Sequence, residues 1–270
     1  MQKKIIIIKR WWIFISIALG RTLRADWSLL SNALMGLLTM TIVHGLQLSA
    51  TWALLSQLSP ESLFPYLGQQ GALLVAWGFI GIAADGLRRL PLTIENGEFE
   101  SCLGAPLPPL LLAALSASSV ISFTDLLLGM ILIILTAQLN INAALIALIC
   151  IPMEFFVFTS LFILGGAASL RMRRGGAVGD FLVFTTLTLS SFPSVAGFQG
   201  KSRLLLFLSP ALFTAYLPFQ SLNAKVNLIT PTIVILIATF VAILFMFFSI
   251  HIFSLALKKA EFSSLVRMRH

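Results

Sequence analysis

Charged residues are scarce in this chain. Only 10% of its 270 residues are charged and 58% are hydrophobic, whereas a soluble domain carries roughly 25% charged and 45 to 50% apolar residues. This composition excludes a soluble globular domain. A spanning helix needs about 20 apolar residues, so the length accommodates about six spans with short connections. We therefore expect no large extramembrane domain and no enzyme domain beside the membrane bundle.

Cysteine and histidine are also rare. Cys102 and Cys150 fall in a predicted loop and in the middle of an apolar segment, at different depths, so a disulfide framework is not supported. The histidines His44, His251 and His270 lack the spacing of a ligand set. We therefore expect neither a metal site nor a cofactor in this chain.

A nucleotide-binding loop is missing as well. Gly200-Lys201-Ser202 ends like a phosphate-binding P-loop, but Val195 stands where that motif requires its first glycine, and no predicted strand precedes it. No basic segment with interleaved aromatic residues indicates nucleic-acid binding. The chain is expected to bind neither nucleotides nor nucleic acids by itself.

Six long apolar segments predict transmembrane helices. They are Leu29–Leu55, Phe64–Gly86, Leu110–Gln138, Ala143–Leu170, Val178–Phe192 and Ile229–Leu257. Between the last two, residues 204–222 are apolar but contain Pro210 and Pro218, which disfavour a continuous helix. This segment predicts two short helices that dip into the membrane. The expected fold is an all-α polytopic membrane protein that forms a single domain over residues 1–270.

The basic residues indicate the orientation in the membrane. Fifteen of the 18 Lys and Arg residues precede the first predicted span or follow the second, fourth and sixth, which places them on one side. The three on the other side are Lys201, Arg203 and Lys225. Because cytoplasmic loops are enriched in Lys and Arg, this distribution predicts that both termini are cytoplasmic.

Residues 1–28 combine isoleucines, tryptophans and basic side chains, and charges interrupt them too often for a span. With Trp11, Trp12 and Trp27 at headgroup depth, they predict an interfacial helix along the cytoplasmic leaflet. A flexible basic tail anchored by its tryptophans is the alternative. No small-residue cleavage site is evident, so a cleaved signal peptide is not expected.

Acidic residues inside the predicted spans are functional candidates, because a charge in a membrane is costly. Asp125 lies near the middle of the third span and Glu154 near the middle of the fourth, while Asp85 and Asp180 lie close to cytoplasmic ends. No basic residue is expected at the depth of the central two. They are predicted to be protonated, to bond to Ser, Thr or Asn, or to face a wet cavity. A structural role and a role in handling protons or substrate both remain open.

Small residues recur at the start of the predicted third span. The pairs Ala113/Ala117 and Ala114/Ser118 permit close helix approach. They fit either packing within the bundle or an interface between subunits.

Residues 87–109 form the longest polar stretch between spans and carry three glutamates within six positions. The Asn96-Gly97 pair can end one short helix and begin another. A short acidic helix at this point would offer a surface to a cytoplasmic partner. A solvated connector is the alternative.

This layout resembles the transmembrane permease subunit of ATP-binding cassette exporters of the type-two permease class. That class has an N-terminal interfacial helix, six spans, a coupling helix after the second span and paired short outer helices before the sixth. Residues 93–107 resemble its coupling segment, residues 209–218 its outer proline-rich segment, and residues 257–261 its basic closing segment.

The resemblance implies contacts between the coupling loop and a separate ATPase subunit, which binds ATP and Mg²⁺. The implied contact residues are Glu95, Asn96, Gly97, Glu98, Phe99, Glu100 and Leu103. It also implies that Pro210, Tyr216 and Pro218 shape an outer gate within a re-entrant hairpin over residues 193–228. Two identical or homologous permease subunits would form the pathway in the inner membrane, and this chain itself would not be an enzyme.

Two other functions are compatible with the sequence. A proton-driven secondary transporter would use Asp125 and Glu154 and is expected to have broken helices at matching positions in both halves; Pro152 and the pair Pro210/Pro218 do not match in this way. A membrane scaffold for a cytoplasmic complex would lack a pathway between subunits. The substrate class expected is a lipid, a peptide or an amphiphilic natural product, because apolar surfaces suit such compounds.

Overall fold

The computed structural model describes most of the chain. The described ranges are 30–58, 63–104, 107–172, 175–191, 210–223 and 229–267, together with Ser16 and Gly20. The rest of the predicted interfacial helix, the Gly200-Lys201-Ser202 string and the first half of the outer segment lie outside these ranges.

Every regular element in the described ranges is a helix. They are α1 (Leu30–Leu58), α2 (Leu63–Arg88), α3 (Leu90–Glu95), α4 (Glu100–Leu103), α5 (Pro109–Leu115), α6 (Ser122–Leu139), α7 (Ile141–Ser169), α8 (Gly175–Ser191), a π-helical turn (Leu212–Tyr216) that continues into α9 (Leu217–Asn223), and α10 (Ile229–Arg267). The predicted all-α fold is confirmed.

Five helical segments within the described ranges are long and apolar enough to cross a membrane. They are Leu34–Ala53, Leu63–Glu95, Ser122–Leu139, Ile141–Ser169 and Ile229–Ala260. The predicted fifth span corresponds to α8, which has 17 residues. At 1.5 Å per residue α8 is about 26 Å long, close to the roughly 30 Å of a hydrocarbon core.

The predicted third span is not one helix. Helix α5 ends at Leu115 and α6 begins at Ser122, so the continuous helix expected over residues 110–138 is wrong. The hydroxyl of Ser116 donates to the carbonyl of Ala113 at 2.8 Å. Serine hydroxyls compete with the helical backbone in this way, which favours a helix end.

The break moves Asp125 relative to the prediction. Rather than standing in the middle of a long helix, Asp125 lies in the first turn of α6. The backbone N–H of Ser119, within the break, donates to the carbonyl of Gly81 in α2 at 2.8 Å. The break is therefore a fixed part of the bundle, and it presents the start of α6 to α2.

Glycines bring α2 and α6 together. A Cβ atom on Gly78 would lie 2.7 Å from the backbone nitrogen of Leu126, and one on Gly129 would lie 2.7 Å from the carbonyl oxygen of Gly71. Close backbone approach of this kind is the usual contact between membrane helices, where small residues form the interface. Helices α2 and α6 therefore form one tightly packed pair.

Helix α7 occupies the centre of the fold and contacts α2, α8 and α10. Its residues Met153, Val157 and Phe158 are completely buried. Helix α1 is peripheral by contrast, because only 6% of its spanning window is buried. The molecule therefore has a rigid centre around α7 and a loosely attached first span.

The small residues at the start of the predicted third span pack inside the chain. Ala113 and Ala114 in α5 are buried, and a Cβ atom on Gly86 of α2 would overlap the carbonyl oxygen of Ala113. The structure therefore supports the packing interpretation of these residues.

Candidate functional site

The cytoplasmic loop contains two short helices joined by a glycine turn. Helix α3 ends at Glu95, where the backbone N–H of Asn96 donates to the carbonyl of Leu92 at 2.9 Å. Gly97 follows with φ +77°, a backbone region that glycine adopts readily and other residues rarely do. Helix α4 begins three residues later. The helix end and new helix start predicted at Asn96-Gly97 are both present.

The loop residues implied to contact a partner divide into two groups. Six of them are exposed: Glu95, Asn96, Gly97, Glu98, Glu100 and Leu103. Phe99 is buried, and its ring meets that of Phe253 in α10 edge to face, with centroids 5.7 Å apart. Such a pair stabilises by about 0.5 to 1.5 kcal/mol beyond its buried area. Phe99 therefore anchors the loop to the bundle and offers no ring to a partner.

Glu95 also bonds within the chain. Its Oε1 accepts from the backbone N–H of Gly176, in the first turn of α8, at 2.8 Å, and from the hydroxyl of Ser169 at 3.4 Å. The first N–H groups of a helix have no partner within the helix and carry a partial positive charge, which a carboxylate satisfies. Glu95 thus connects the loop to the start of α8.

A buried carboxylate fixes the start of the loop. Asp85 is fully buried, and its Oδ2 accepts from Arg89 Nε at 2.9 Å while its Oδ1 lies 3.1 Å from Arg88 Nε. The guanidinium of Arg88 also lies 5.8 Å from the centroid of the Trp77 ring. Asp85, predicted near the cytoplasmic end of the second span, therefore holds two arginines at the point where α2 meets α3.

A groove of about 250 Å³ separates the loop from α5. Its lining includes the side chains of Arg89, Thr93 and Glu98 together with the buried ring of Phe99. This groove lies beside the exposed turn at Gly97 and gives this end of the molecule a polar, concave surface.

The residues implied to form an outer gate lie on the π-helical turn and α9. Pro218 is buried and Tyr216 is half-buried, while Pro210 lies at the start of the described outer segment. A proline inside a helix cannot donate to the carbonyl four residues earlier and clashes with it. The wider π-helical turn just before Pro218 accommodates the proline ring and its missing hydrogen bond. The structure thus has one continuous helical unit, a π-helical turn followed by α9, in the described part of the outer segment.

This outer unit packs against the start of α2. Ala215 and Phe219 form a buried cluster with Leu63 and Tyr66. The hydroxyl of Thr214 lies 2.6 Å from the hydroxyl of Ser190, near the end of α8. The outer unit is therefore in contact with both α2 and α8.

Polar side chains of α2 bind the end of α8. The carbonyl of Ser190 accepts from the amides of Gln69 and Gln70 at 3.0 and 2.7 Å, and the carbonyl of Ser191 accepts from the hydroxyl of Tyr66 at 2.8 Å. The last carbonyls of a helix lack intrahelical partners. The two amides and the hydroxyl give these carbonyls hydrogen-bond partners inside an otherwise apolar bundle.

Asp125 has a basic partner. His44 Nε2, in the middle of α1, lies 2.8 Å from Asp125 Oδ1. The prediction that no basic residue stands at the depth of Asp125 is therefore wrong. Because α1 is otherwise little buried, this pair and a 3.5 Å bond from Gln47 to the carbonyl of Ser191 attach its centre to the bundle.

A cavity of about 90 Å³ lies beside this pair, between α1, α2 and α8. Its polar lining consists of His44, Gln47, Gln70 and Ser191, and leucines and Trp77 complete the wall. Small-molecule sites have a similar lining, but the volume of this cavity is well below the roughly 300 to 1,000 Å³ of such sites.

Glu154 is fully buried in α7, and neither of its carboxyl oxygens has a hydrogen-bond partner among the described side chains and backbone. Of the three predicted alternatives for Glu154, the bond to Ser, Thr or Asn is therefore not formed within the described ranges. Glu154 and Asp125 lie in different surroundings, and the structure does not bring them into one site.

The family was identified by comparison with known protein families. Residues 59–264, well over half of the chain, match the family model described as ABC-2 family transporter protein. The chain belongs to the ABC-2 transporter family. Comparisons with curated proteins and with solved structures find no match.

Membership of the ABC-2 family makes this chain a multi-pass membrane permease, the transport component of an ABC transporter. The resemblance stated from the sequence is confirmed. The family also implies an ATPase partner and does not favour an enzyme within the permease itself. The match starts after α1, so this loosely attached span lies outside the matched residues.

Sequence reasoning missed several residues of this ABC-2 permease. Gln69 and Gln70 are the clearest, because two adjacent amides in an apolar span are costly without partners and should have been singled out. His44 also stands in the middle of an apolar segment. The hydroxyls of Ser190 and Thr214 carry no comparable signal, since both residue types are common in membrane helices.

Proposed function

We propose that this chain is the permease subunit of an ATP-driven exporter in the cytoplasmic membrane, with both termini in the cytoplasm. Its coupling loop would contact a separate ATPase subunit. The observation that carries this proposal is the construction of the loop: an exposed acidic tip around Gly97 stands on the buried anchors Phe99 and Asp85.

This construction suits the transmission of force. When ATP closes the ATPase pair, a loop that was merely solvated would absorb the movement. A loop tied to α10 through Phe99 and to α8 through Glu95 passes it to the bundle instead. The bundle then shifts between two packed arrangements, as in other rigid-body transitions.

A second permease subunit would complete the pathway. The spanning window of α1 is only 6% buried, and α1 lines a cavity with α2 and α8. The cavity of about 90 Å³ is too small for a lipid or peptide in this arrangement, so the amphiphilic substrate class rests on the apolar character of the spans. On the outer side, Pro210, Tyr216 and Pro218 would shape the exit.

The ATPase contact is tested by reversing charge at the loop tip. A tagged permease carrying Glu98→Lys is purified in mild detergent, and the bound ATPase is quantified against wild type. We expect at least a tenfold loss of bound ATPase, because the exposed carboxylate faces the proposed partner. Asp180→Lys is the matched control, since Asp180 is also exposed but lies on α8. Equal ATPase binding by both variants would contradict the proposed contact.

The His44–Asp125 pair favours one alternative, a transporter driven by protons. A proton-driven transporter predicts transport into vesicles that follows a pH gradient without ATP and is lost in Asp125→Asn. The proposed ATP-driven permease predicts no transport under that gradient alone.

A further inference from the structure

The groove between the coupling loop and α5 contains a positive and a negative side chain that do not pair with each other. Arg89 and Glu98 both line this groove of about 250 Å³. Two nitrogens of Arg89, Nε and Nη2, lie 2.9 and 2.8 Å from Asp85 Oδ2, which leaves Nη1 without a protein partner in the described ranges. The Glu98 carboxylate has no ion-pair partner among the described residues. Both charges are therefore available to a ligand.

The charges that line and support the groove balance. Asp85 is fully buried between Arg88 and Arg89, so two guanidinium groups and one carboxylate leave one net positive charge. Glu98 contributes one negative charge. Glu98 would repel a purely anionic ligand, and the arginines would repel a purely cationic one. The groove therefore fits a ligand that carries one group of each sign.

Three hydroxyls in the lining offer acceptors but no donors. Thr93, Ser101 and Ser116 each donate their single hydroxyl proton to a backbone carbonyl three residues earlier, at 2.7 to 2.9 Å. Only the lone pairs of these oxygens remain for a ligand. Together with the Glu98 carboxylate, they form an acceptor-rich surface. A primary ammonium, with three N–H donors, matches this surface, whereas a quaternary ammonium has no N–H to donate.

The groove lies at about the depth of lipid headgroups. Arg89 follows Leu63, the start of α2, by 26 positions, which at 1.5 Å per residue is at most about 39 Å. The hydrocarbon core is about 30 Å thick, and the bilayer with its headgroups about 40 to 45 Å. Ala113 in α5 and Ala117 just after it give the groove an apolar wall. A lipid headgroup at this depth would meet both the charges and the apolar wall.

The size of the groove suits a headgroup. Phosphoethanolamine has eight non-hydrogen atoms, and eight waters at roughly 30 Å³ each occupy about 240 Å³. The acyl chains of a lipid would remain outside the groove, among the apolar surfaces of the spans.

We propose that this groove binds the headgroup of a phospholipid with a primary amine, such as phosphatidylethanolamine. Arg89 binds the phosphate, as guanidinium groups commonly do, and the ammonium donates to Glu98 and to the hydroxyls. Polar pockets between spans on the cytoplasmic side are known to bind headgroups. The inference goes beyond the proposed function, and only the assignment to the cytoplasmic leaflet rests on the proposed orientation.

The test counts lipids bound to the purified permease without any ATPase. The chain is mixed with phosphatidylethanolamine and phosphatidylcholine that carry identical acyl chains, and native mass spectrometry quantifies each bound lipid. Wild type should prefer phosphatidylethanolamine by at least about tenfold, because hydrogen bonds to a charged group are lost with choline. The N-methyl and N,N-dimethyl lipids should bind in the order of their remaining N–H groups. Equal binding of phosphatidylcholine or of anionic phosphatidylglycerol would overturn the inference.

Two variants and one control locate the site. Glu98→Gln removes the negative charge and should abolish most of the preference for phosphatidylethanolamine. Because Glu98 is also the proposed ATPase contact, Ser116→Ala tests the groove away from the loop tip and should weaken the same preference. Glu100→Gln is the matched control, since Glu100 is exposed in the same loop but does not line the groove. A wild-type preference in both Glu98→Gln and Ser116→Ala would overturn the inference.

Two competitors distinguish the lipid from other occupants. Soluble phosphoethanolamine has the same headgroup without acyl chains, and displacement of the lipid by an equal concentration of it would overturn the lipid assignment. Displacement by the purified ATPase would assign the groove to a protein partner and would overturn it as well. A missing lipid preference leaves the ATP-driven function standing, whereas failure of any ATPase to accompany the wild-type permease would refute that function and leave the lipid site standing.

Discussion

Removal of the Phe99 ring should detach the coupling loop from the bundle. Phe99 is 4% exposed and Phe253 is 2% exposed, and their rings meet at 82° with centroids 5.7 Å apart. Truncation of a buried Phe to Ala typically costs about 3 to 5 kcal/mol of unfolding free energy. About 0.5 to 1.5 kcal/mol of this belongs to the edge-to-face ring pair.

The assay is thermal unfolding of the purified permease in detergent, combined with a double-mutant cycle. We expect Phe99→Ala to lower the melting temperature clearly and to reduce the bound ATPase. Phe253→Ala should cost a similar amount. The double variant should cost less than the sum, by a coupling free energy of about 0.5 to 1.5 kcal/mol.

Leu103→Ala is the control for this prediction. Leu103 is in the same loop but is 38% exposed, so its truncation should change the unfolding free energy by less than about 1 kcal/mol. Equal melting temperatures for Phe99→Ala and Leu103→Ala, or zero coupling between Phe99 and Phe253, would refute the argument that Phe99 anchors the loop.

Two further substitutions test the loop. Asp85→Ala removes the carboxylate that accepts a hydrogen bond from Arg89 and forms an ion pair with Arg88. It should lower the unfolding free energy by about 1 to 3 kcal/mol, measured by thermal melting, and a melting temperature equal to wild type would contradict the anchoring role of Asp85. Gly97→Ala places a side chain at φ +77° and should cost about 1 to 2 kcal/mol, with Gly104→Ala, at φ −82°, as a control that melts like wild type.

The long helices could be predicted because their sequences are continuously apolar. Helices α2, α7 and α10 match the predicted second, fourth and sixth spans in order and approximate bounds. Apolar content alone could not predict the break between α5 and α6. That break depends on local hydrogen bonds, such as the one from Ser116 to the carbonyl of Ala113. A hydropathy profile is an average over a window and does not record such bonds.

The candidate site was predicted in position but not in detail. The sequence indicates an acidic loop with a turn at Gly97, and the structure has both. The inward orientation of Phe99 depends on Phe253, which lies far away in the sequence, and the partner of Asp125 is 81 positions earlier at His44. Contacts between distant segments of this kind leave no periodic pattern in a single sequence.

The central claim is that a separate ATPase powers this permease. The most direct measurement is ATP hydrolysis by the tagged wild-type chain after purification from its native membrane in mild detergent. The account predicts an ATPase subunit bound in equal amount to the permease, and hydrolysis that falls when Glu98→Lys replaces the wild type. A permease that purifies without an ATPase, hydrolyses no ATP and still transports its substrate in vesicles would contradict the account.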